Sequence, residues 1–495
     1  MNRRSLLVSI AVGAALTGAA LAQIPQHPKQ LTYPALNFEV PKAEDFRVKL
    51  KTGQAAYVAE DHALPLVTVS ITVRAGAWLD PANKPGVASL TGSMMRDGGT
   101  ERSTAEQFDE EVDFLAADLN SFIGLTQGGA SLNCLSKDLE KGLDLLFEMM
   151  TKPRFQADRL AVRKGTILEE MKQRNDDAGT ILEREWGWLM YGQEHFAPRE
   201  QTQAELDSIT REDLINFHKM YWRPEQMIIA ASGDLDKAKL IASLEKRFAA
   251  WKPTGPVAKI AWPPPAPKHT PKPGLYLVEK DIPQGKVYIG HLGAQRDPNW
   301  SNPDNVALQV MNDILGGGGF TSRITKRVRS DEGLAYSAGS RFGIDNYWPG
   351  TFRVSYQSKS PTVALAAKLS LEEIEKIRTQ LVPAEELTTS KNSFVDTFPQ
   401  TFQSKAAIVN TYAADEYIGR PHAYWQMYRD NMRKVTAEDV RRVAQQYLKP
   451  DQLVMLIVGK WSDIEPGDAG KRASMKELFG GKPIVLPLRD PLTLK

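Results

Sequence analysis

The sequence predicts an α+β protein of two homologous halves, each a mainly antiparallel sheet with helices packed on one face. Three observations carry that prediction: two blocks recur in the same order, a proline-rich stretch separates them, and strands are grouped with helices instead of alternating strictly with them.

The recurrent blocks are specific. Thr210-Arg211-Glu212-Asp213-Leu214 opens an amphipathic helix through Tyr221, followed by Pro224 and the apolar strand Met227–Ala231, ending at Gly233. Thr436-Ala437-Glu438-Asp439-Val440 opens another through Tyr447, followed by Pro450 and the strand Leu453–Val458, ending at Gly459. Thr210 and Thr436, Pro224 and Pro450, and Gly233 and Gly459 are each 226 positions apart. In both blocks a capping Thr with an acid in the first turn starts the helix and a Pro stops it. Upstream, Gly76…Asp80-Pro81 matches Gly293…Asp297-Pro298 at an offset of 217, a difference that insertions between the blocks account for.

Between the halves, Trp251–Gly274 holds eight prolines. That density blocks helix and sheet ladders and favours an extended, semi-rigid spacer. The division expected is a signal peptide over 1–22, an extension over 23–40, a first half over 41–250, the linker over 251–274 and a second half over 275–495. In the first half Val67–Val73 alternates as a strand, and Pro85-Gly86 opens a helix with apolar Val87, Leu90, Met94 and Met95. Ser103-Thr104-Ala105-Glu106 reads as a capping box before a helix presenting Phe108, Val112, Leu115 and Leu119 on one face.

The N-terminus sets the compartment. Arg3 and Arg4 precede an apolar run from Leu6 to Leu21, and Ala20-Leu21-Ala22 offers a small-x-small cleavage site. This is the pattern of a signal peptide cleaved after about Ala22, so the protein is expected to be exported. Gly13, Thr17 and Gly18 in a short run argue against an anchor, and no later run reaches membrane length. The arginine pair leaves the general secretory and twin-arginine routes both open. A formal charge of +2 gives no reason to invoke nucleic acid or an anionic membrane. Cys134 is the single cysteine, which excludes an internal disulfide, and its apolar-alternating surroundings suit a small buried hydrophobe better than a reactive thiol.

The order Gly-x-x-x-Asp-Pro…Pro-Gly-x-Ala, a Leu-Glu-Glu-Met helix and a Thr-x-Glu-Asp…Tyr-x-x-Pro block resembles the pitrilysin/insulinase family of metallopeptidases, across nearly the whole chain. The resemblance implies a clam-like arrangement in which two α+β halves enclose a cavity where peptides are cut. It also implies a zinc site, His-x-x-Glu-His on a helix of the first half plus a distant Glu. Two His at i and i+4 share one helical face and bind zinc, while the Glu between them serves as general base.

Here the corresponding stretch, Gly86 to Met95, puts Ser89 and Ser93 at the His positions and Gly92 at the Glu position. A hydroxyl is a poor zinc ligand and glycine carries no base. Glu170, 77 positions after Ser93, matches the family's third ligand in spacing, although an exposed helical Glu accounts for it equally well. The histidines, at 27, 62, 195, 218, 269, 291 and 422, form no helical pair. No metal is therefore expected in this chain. Serine-based hydrolysis through Ser89 or Ser93 lacks a Gly-x-Ser-x-Gly elbow and a nearby His.

In the second half Leu315–Ile324 contains four successive glycines. It lacks the Gly-Lys-Ser/Thr of a phosphate loop and reads as a close-approach turn, which the resemblance places at the cavity. Arg329 and Tyr336, seven positions apart, match the family's Arg/Tyr pair, implied to grip the substrate backbone and stabilise the oxyanion. In an unrelated protein the same two would read as a surface Arg and a core-edge Tyr. A chain lacking the metal site but keeping this pair implies divided labour, as in bacterial members that work as heterodimers. The expected function is thus the non-catalytic, substrate-binding subunit of a periplasmic peptidase acting on peptides. The zinc would sit in an active paralogue as partner. The alternative from a different class is a stand-alone structural or peptide-holding protein, as in respiratory-complex core subunits of the same fold. A neighbouring gene for an exported paralogue with His-x-x-Glu-His would separate the two.

Overall fold

The computed structural model describes residue 31 and residues 37–255, 258 and 260–495. The expected signal peptide lies outside the described residues. Residues up to Glu39 belong to a separate unit whose described positions carry no helix or strand, and Val40–Lys495 form the compact unit considered below.

That unit contains two six-stranded sheets. The first holds β1 (Arg47–Lys49), β2 (Ala55–Glu60), β3 (Leu66–Val73), β4 (Asp118–Ile123), β5 (Gly128–Leu135) and β6 (Met227–Gly233), in the order β1-β2-β6-β3-β5-β4. The second holds β7 (Gly274–Glu279), β8 (Gln284–Leu292), β10 (Ala335–Phe342), β12 (Thr351–Lys359), β13 (Val454–Gly459) and β14 (Ile484–Leu486), in the order β10-β12-β8-β13-β7-β14. A two-residue pair, β9 (Ala294–Gln295) with β11 (Ile344–Asp345), stands apart. Both sheets share one pattern. A parallel pair (β2 with β6, β7 with β13) is extended by antiparallel strands to an outer strand, β4 or β10.

The capping Thr residues explain why the repeated helices start where they do. Thr210 accepts from the Asp213 backbone N–H while Asp213 accepts from that of Thr210, and Thr436 and Asp439 repeat the exchange. Two expectations in the first half need correction. The capping box at the next helix is Thr104 with Gln107, one residue later than Ser103/Glu106, and Ser103 instead donates to Glu111 at 2.9 Å. That helix ends at Phe114, because Ala116 turns to φ 46° and Leu119 joins β4.

Alternation sorts each sheet into two faces. In the first, Val58, Val69, Ile71, Ile229 and Ala231 meet the helices Val87–Asp97, Leu139–Thr151, Arg211–Tyr221 and Lys237–Ala250 in one core. Tyr57, Ile228 and Ala230 alternate with that set, and Lys405–Ile418, a helix from the second half, packs on β2 and β6. There Arg47 grips Glu416 with two bonds of 3.0 Å, and the Tyr57 hydroxyl donates to the same carboxylate at 2.8 Å.

The second half receives the reciprocal loan. Ile181, Leu182, Trp186 and Met190 of the helix Ala178–Tyr191 pack on Tyr276, Val278, Val454, Leu456 and Val458. Each sheet thus has the expected layer of its own helices and, on its other face, one helix from the opposite half. Burying side chains of this size contributes roughly 1.5–3 kcal/mol each, so the exchange is a major bond between the halves. The C-terminal tail adds to it: Gln203 N–H donates to the Leu492 carbonyl at 2.9 Å and Asn175 Nδ2 to that of Arg489 at 2.7 Å.

Candidate functional site

The helix Val87–Asp97 carries Ser89, Gly92 and Ser93, the positions at which the resemblance implies a zinc motif. It starts at Gly86, in the left-handed region at φ 97°, and the Asp80 carboxylate accepts from the Gly86 and Ala88 backbone N–H groups at 2.8 and 2.7 Å. Burial outweighs these bonds and pushes the Asp80 carboxyl up to about 6.

Ser89 is exposed, and the Ser93 hydroxyl donates to the Leu90 carbonyl of its own helix at 3.3 Å. Gly92 is more telling. A Cβ built there would lie 2.1 Å from Ile123 N and 2.5 Å from Phe122 C, both backbone atoms of β4. The Ser121 hydroxyl ties the contact by donating to the Gly92 carbonyl at 2.6 Å. Helix and outer strand therefore touch backbone to backbone where a general base would need room. Glu170 stands exposed on the helix Ala157–Lys172, and its carboxylate has no hydrogen bond or ion pair among the described residues.

These residues do not fit zinc: two hydroxyls, a glycine without space for a side chain and one exposed carboxylate supply too few donors. The six described histidines are each engaged elsewhere or apart. His62 meets Asp234, His218 the Met150 carbonyl, His269 that of Leu189 and His422 Tyr57. Among the described residues no group of three His, Cys, Asp or Glu could hold a metal ion. Cys134 is buried, and burial pushes its thiol up to about 11.

In the second half Arg329 and Tyr336 come together. Arg329 lies on the π-helical segment Thr325–Asp331, Tyr336 near the start of outer strand β10. The guanidinium carbon is 4.9 Å from the centre of the Tyr336 ring and 4.4 Å from that of Phe320. Tyr336 is 87 % exposed and Phe320 67 %, and Arg329 has no carboxylate partner among the described residues. An uncompensated, planar cation thus rests on two aromatic rings with a phenol at its edge, a combination suited to a carbonyl or carboxylate. Phe320 was missed from sequence, though its place right after the glycines could have marked it. The glycines make the approach possible: a Cβ at Gly316 would sit 2.4 Å from Ser340 N, and Gly319 adopts φ 62°. No hydrogen bond, ion pair or ring contact among the described residues joins this platform to Ser89, Gly92, Ser93 or Glu170.

Comparison with known proteins decides the family. The model described as "Insulinase (Peptidase family M16)" matches residues 56–194, and the one described as "Peptidase M16 inactive domain" matches 208–394. The chain belongs to the pitrilysin/insulinase family. An uncharacterized zinc protease of Streptomyces coelicolor is 24 % identical over 75 % of this chain and 82 % of its own length. A probable mitochondrial-processing peptidase subunit beta of Arabidopsis thaliana is 23 % identical over 80 % and 75 %. Among solved structures, a peptidase M16 inactive domain from Pseudomonas fluorescens superposes with a TM-score of 0.73 at 26 % identity, covering 84 % of this chain and 97 % of that one. The periplasmic protease PqqL of Escherichia coli shares the fold, with a TM-score of 0.69 at 14 % identity over 93 % of this chain and 51 % of its own. The first half carries no His-x-x-Glu-His sequence, and Arg329 and Tyr336 lie seven positions apart in the second half.

Proposed function

We propose that the chain is the non-catalytic, substrate-binding subunit of an exported heterodimeric zinc peptidase. An active paralogue would supply the metal site and this chain the Arg329–Tyr336 platform. One observation carries the reading: the space for a general base is closed by β4 at Gly92, while a half-buried Arg329 lies against an exposed Tyr336 and meets no competing carboxylate among the described residues. In the shared cavity the guanidinium would hold the substrate backbone, and the phenol would donate to the carbonyl oxygen as charge develops on it. The signal-peptide pattern supports a periplasmic setting, and no described helix is long and apolar enough to cross a membrane.

Co-purification from the native host, with zinc analysis of each subunit, tests this directly. The expected result is a stable pair with zinc in the partner, and no stoichiometric zinc or peptide cleavage in this chain alone. One tightly bound zinc in the isolated chain, lost together with activity on Glu170→Ala, would overturn the reading.

A further inference from the structure

A cavity of about 1210 Å³ lies in the helical layer of the first half, away from both regions just described. Its walls are the end of the helix Leu139–Thr151, the loop that follows, the helix Arg211–Tyr221 and the first residues of the linker. Arg223 holds the linker there, donating to the Gly255 carbonyl at 3.2 Å.

The charges lining the cavity are unequal. Arg102 is paired with Glu111 and Glu148, and Arg247 with Glu140 and Asp144. Five other cations meet no carboxylate among the described residues. Arg154 donates to the carbonyls of Thr100 and Glu101, and Arg211 to those of Arg154 and Phe155, so neutral groups fix both guanidiniums and leave their charge intact. Lys152, Lys219 and Lys252 are exposed, and their ammonium groups have no hydrogen bond or ion pair among the described residues. Against these stands one unpaired acid, Glu101. The only imidazole in the wall, His218, is buried and held neutral at ordinary pH by that burial. Phe147, Phe155 and Trp251 supply apolar wall, and the buried indole N–H of Trp222 has no acceptor among the described residues.

We propose that this cavity binds an acidic stretch of peptide, its carboxylates meeting the five unpaired cations and its apolar parts covering the aromatic wall. The volume exceeds the roughly 300–1,000 Å³ of most small-ligand pockets, as a peptide segment requires. Nucleic acid fits less well. The chain carries a formal charge of only +2, and its excess here is gathered in a recess, whereas a polynucleotide needs a basic track along its backbone.

The full chain alone suffices for the test, which makes it independent of any peptidase partner. A fluorescein-labelled peptide of six glutamates is titrated with the protein at low and high salt, followed by anisotropy. Saturable binding is expected, weakened by salt and flat between pH 6 and 8, since only Lys and Arg carry the positive charge. The triple variant Lys152→Glu/Lys219→Glu/Lys252→Glu should weaken it about tenfold or more. Its melting temperature should be unchanged, because these ammonium groups have no partners to lose. The proposal is overturned by absence of saturable binding, by full affinity in the triple variant, or by an oligothymidylate of equal charge binding more tightly than the peptide.

Discussion

Where the helix Val87–Asp97 meets β4, backbone touches backbone, and a Ser121 hydroxyl bonds the two together. Where the segment Thr325–Asp331 meets β10, a half-buried cation lies against two exposed aromatic rings. The two regions flank the outer strands of sheets that share a five-strand pattern, yet one is closely packed and the other exposes its aromatic rings. Duplication therefore preserved the scaffold while the two outer-strand neighbourhoods diverged. The absence of metal ligands in the first half is accompanied by closure of the space itself, which a change of side chains alone would not reopen.

The largest effect expected is at that closure. Gly92→Ala should destabilise the chain by about 2–4 kcal/mol in denaturant unfolding, because the new Cβ meets backbone that cannot turn aside. Ser89→His/Gly92→Glu/Ser93→His should gain no zinc by metal analysis. A stable Gly92→Ala protein would show that helix and strand part easily, and the contrast would collapse.

A second measurement asks how tightly the first half is sealed. Burial holds the His218 imidazole down to about 4, below its ordinary value. The group's folded pKa is depressed, so its contribution is present above about pH 6.5 and is lost as pH falls toward 4, by about 3 kcal/mol in all. His218→Gln should flatten the stability profile across that window, read by unfolding at a series of pH values. An unchanged slope would mean that the imidazole is reached by water in the native state.

On the open side, Arg329→Ala or Tyr336→Phe should lower turnover of a reconstituted complex on the order of a hundredfold. Assembly and the partner's zinc content should stay the same. The stability of Tyr336→Phe should stay within about 0.5 kcal/mol, as its ring is 87 % exposed. Normal assembly with full activity in both variants would make the pair structural and favour a peptide-holding role.

Phe320→Ala is expected to have the smallest effect. Loss of one exposed cation–π contact, worth about 0.5–1 kcal/mol, should lower kcat/KM roughly two- to fivefold. A loss as large as that from Arg329→Ala would make Phe320 a substrate contact in its own right.

Much of this was legible in the sequence because it depends on local chemistry. Thr210 with Asp213 and Thr436 with Asp439 cap helices wherever they occur, and the Pro residues that follow stop them. The α+β class followed from the same repeated units. Leu119 misled because its spacing from Leu115 also fits a helix, and only Ala116's left-handed turn sends it into β4. At the candidate site, the seven-residue spacing of Arg329 and Tyr336 was visible, but the Phe320 ring reaches them only through the fold. Gly92 could be read as a missing base, yet not as a point of contact, since Phe122 and Ile123 approach it from a strand some thirty positions away. The exchanged helices were hidden for the same reason. Nothing local in Ala178–Tyr191 says that Trp186 and Met190 pack on strands of the opposite half.

That exchange constrains the order of events as the chain is synthesised. A ribosome completes β2 and β6 long before Lys405–Ile418, so Tyr57, Ile228 and Ala230 await their cover until most of the chain has emerged. Until then the first half should leave that apolar face of β2 and β6 uncovered. It should reach full protease resistance only when the second half arrives to lend its helix.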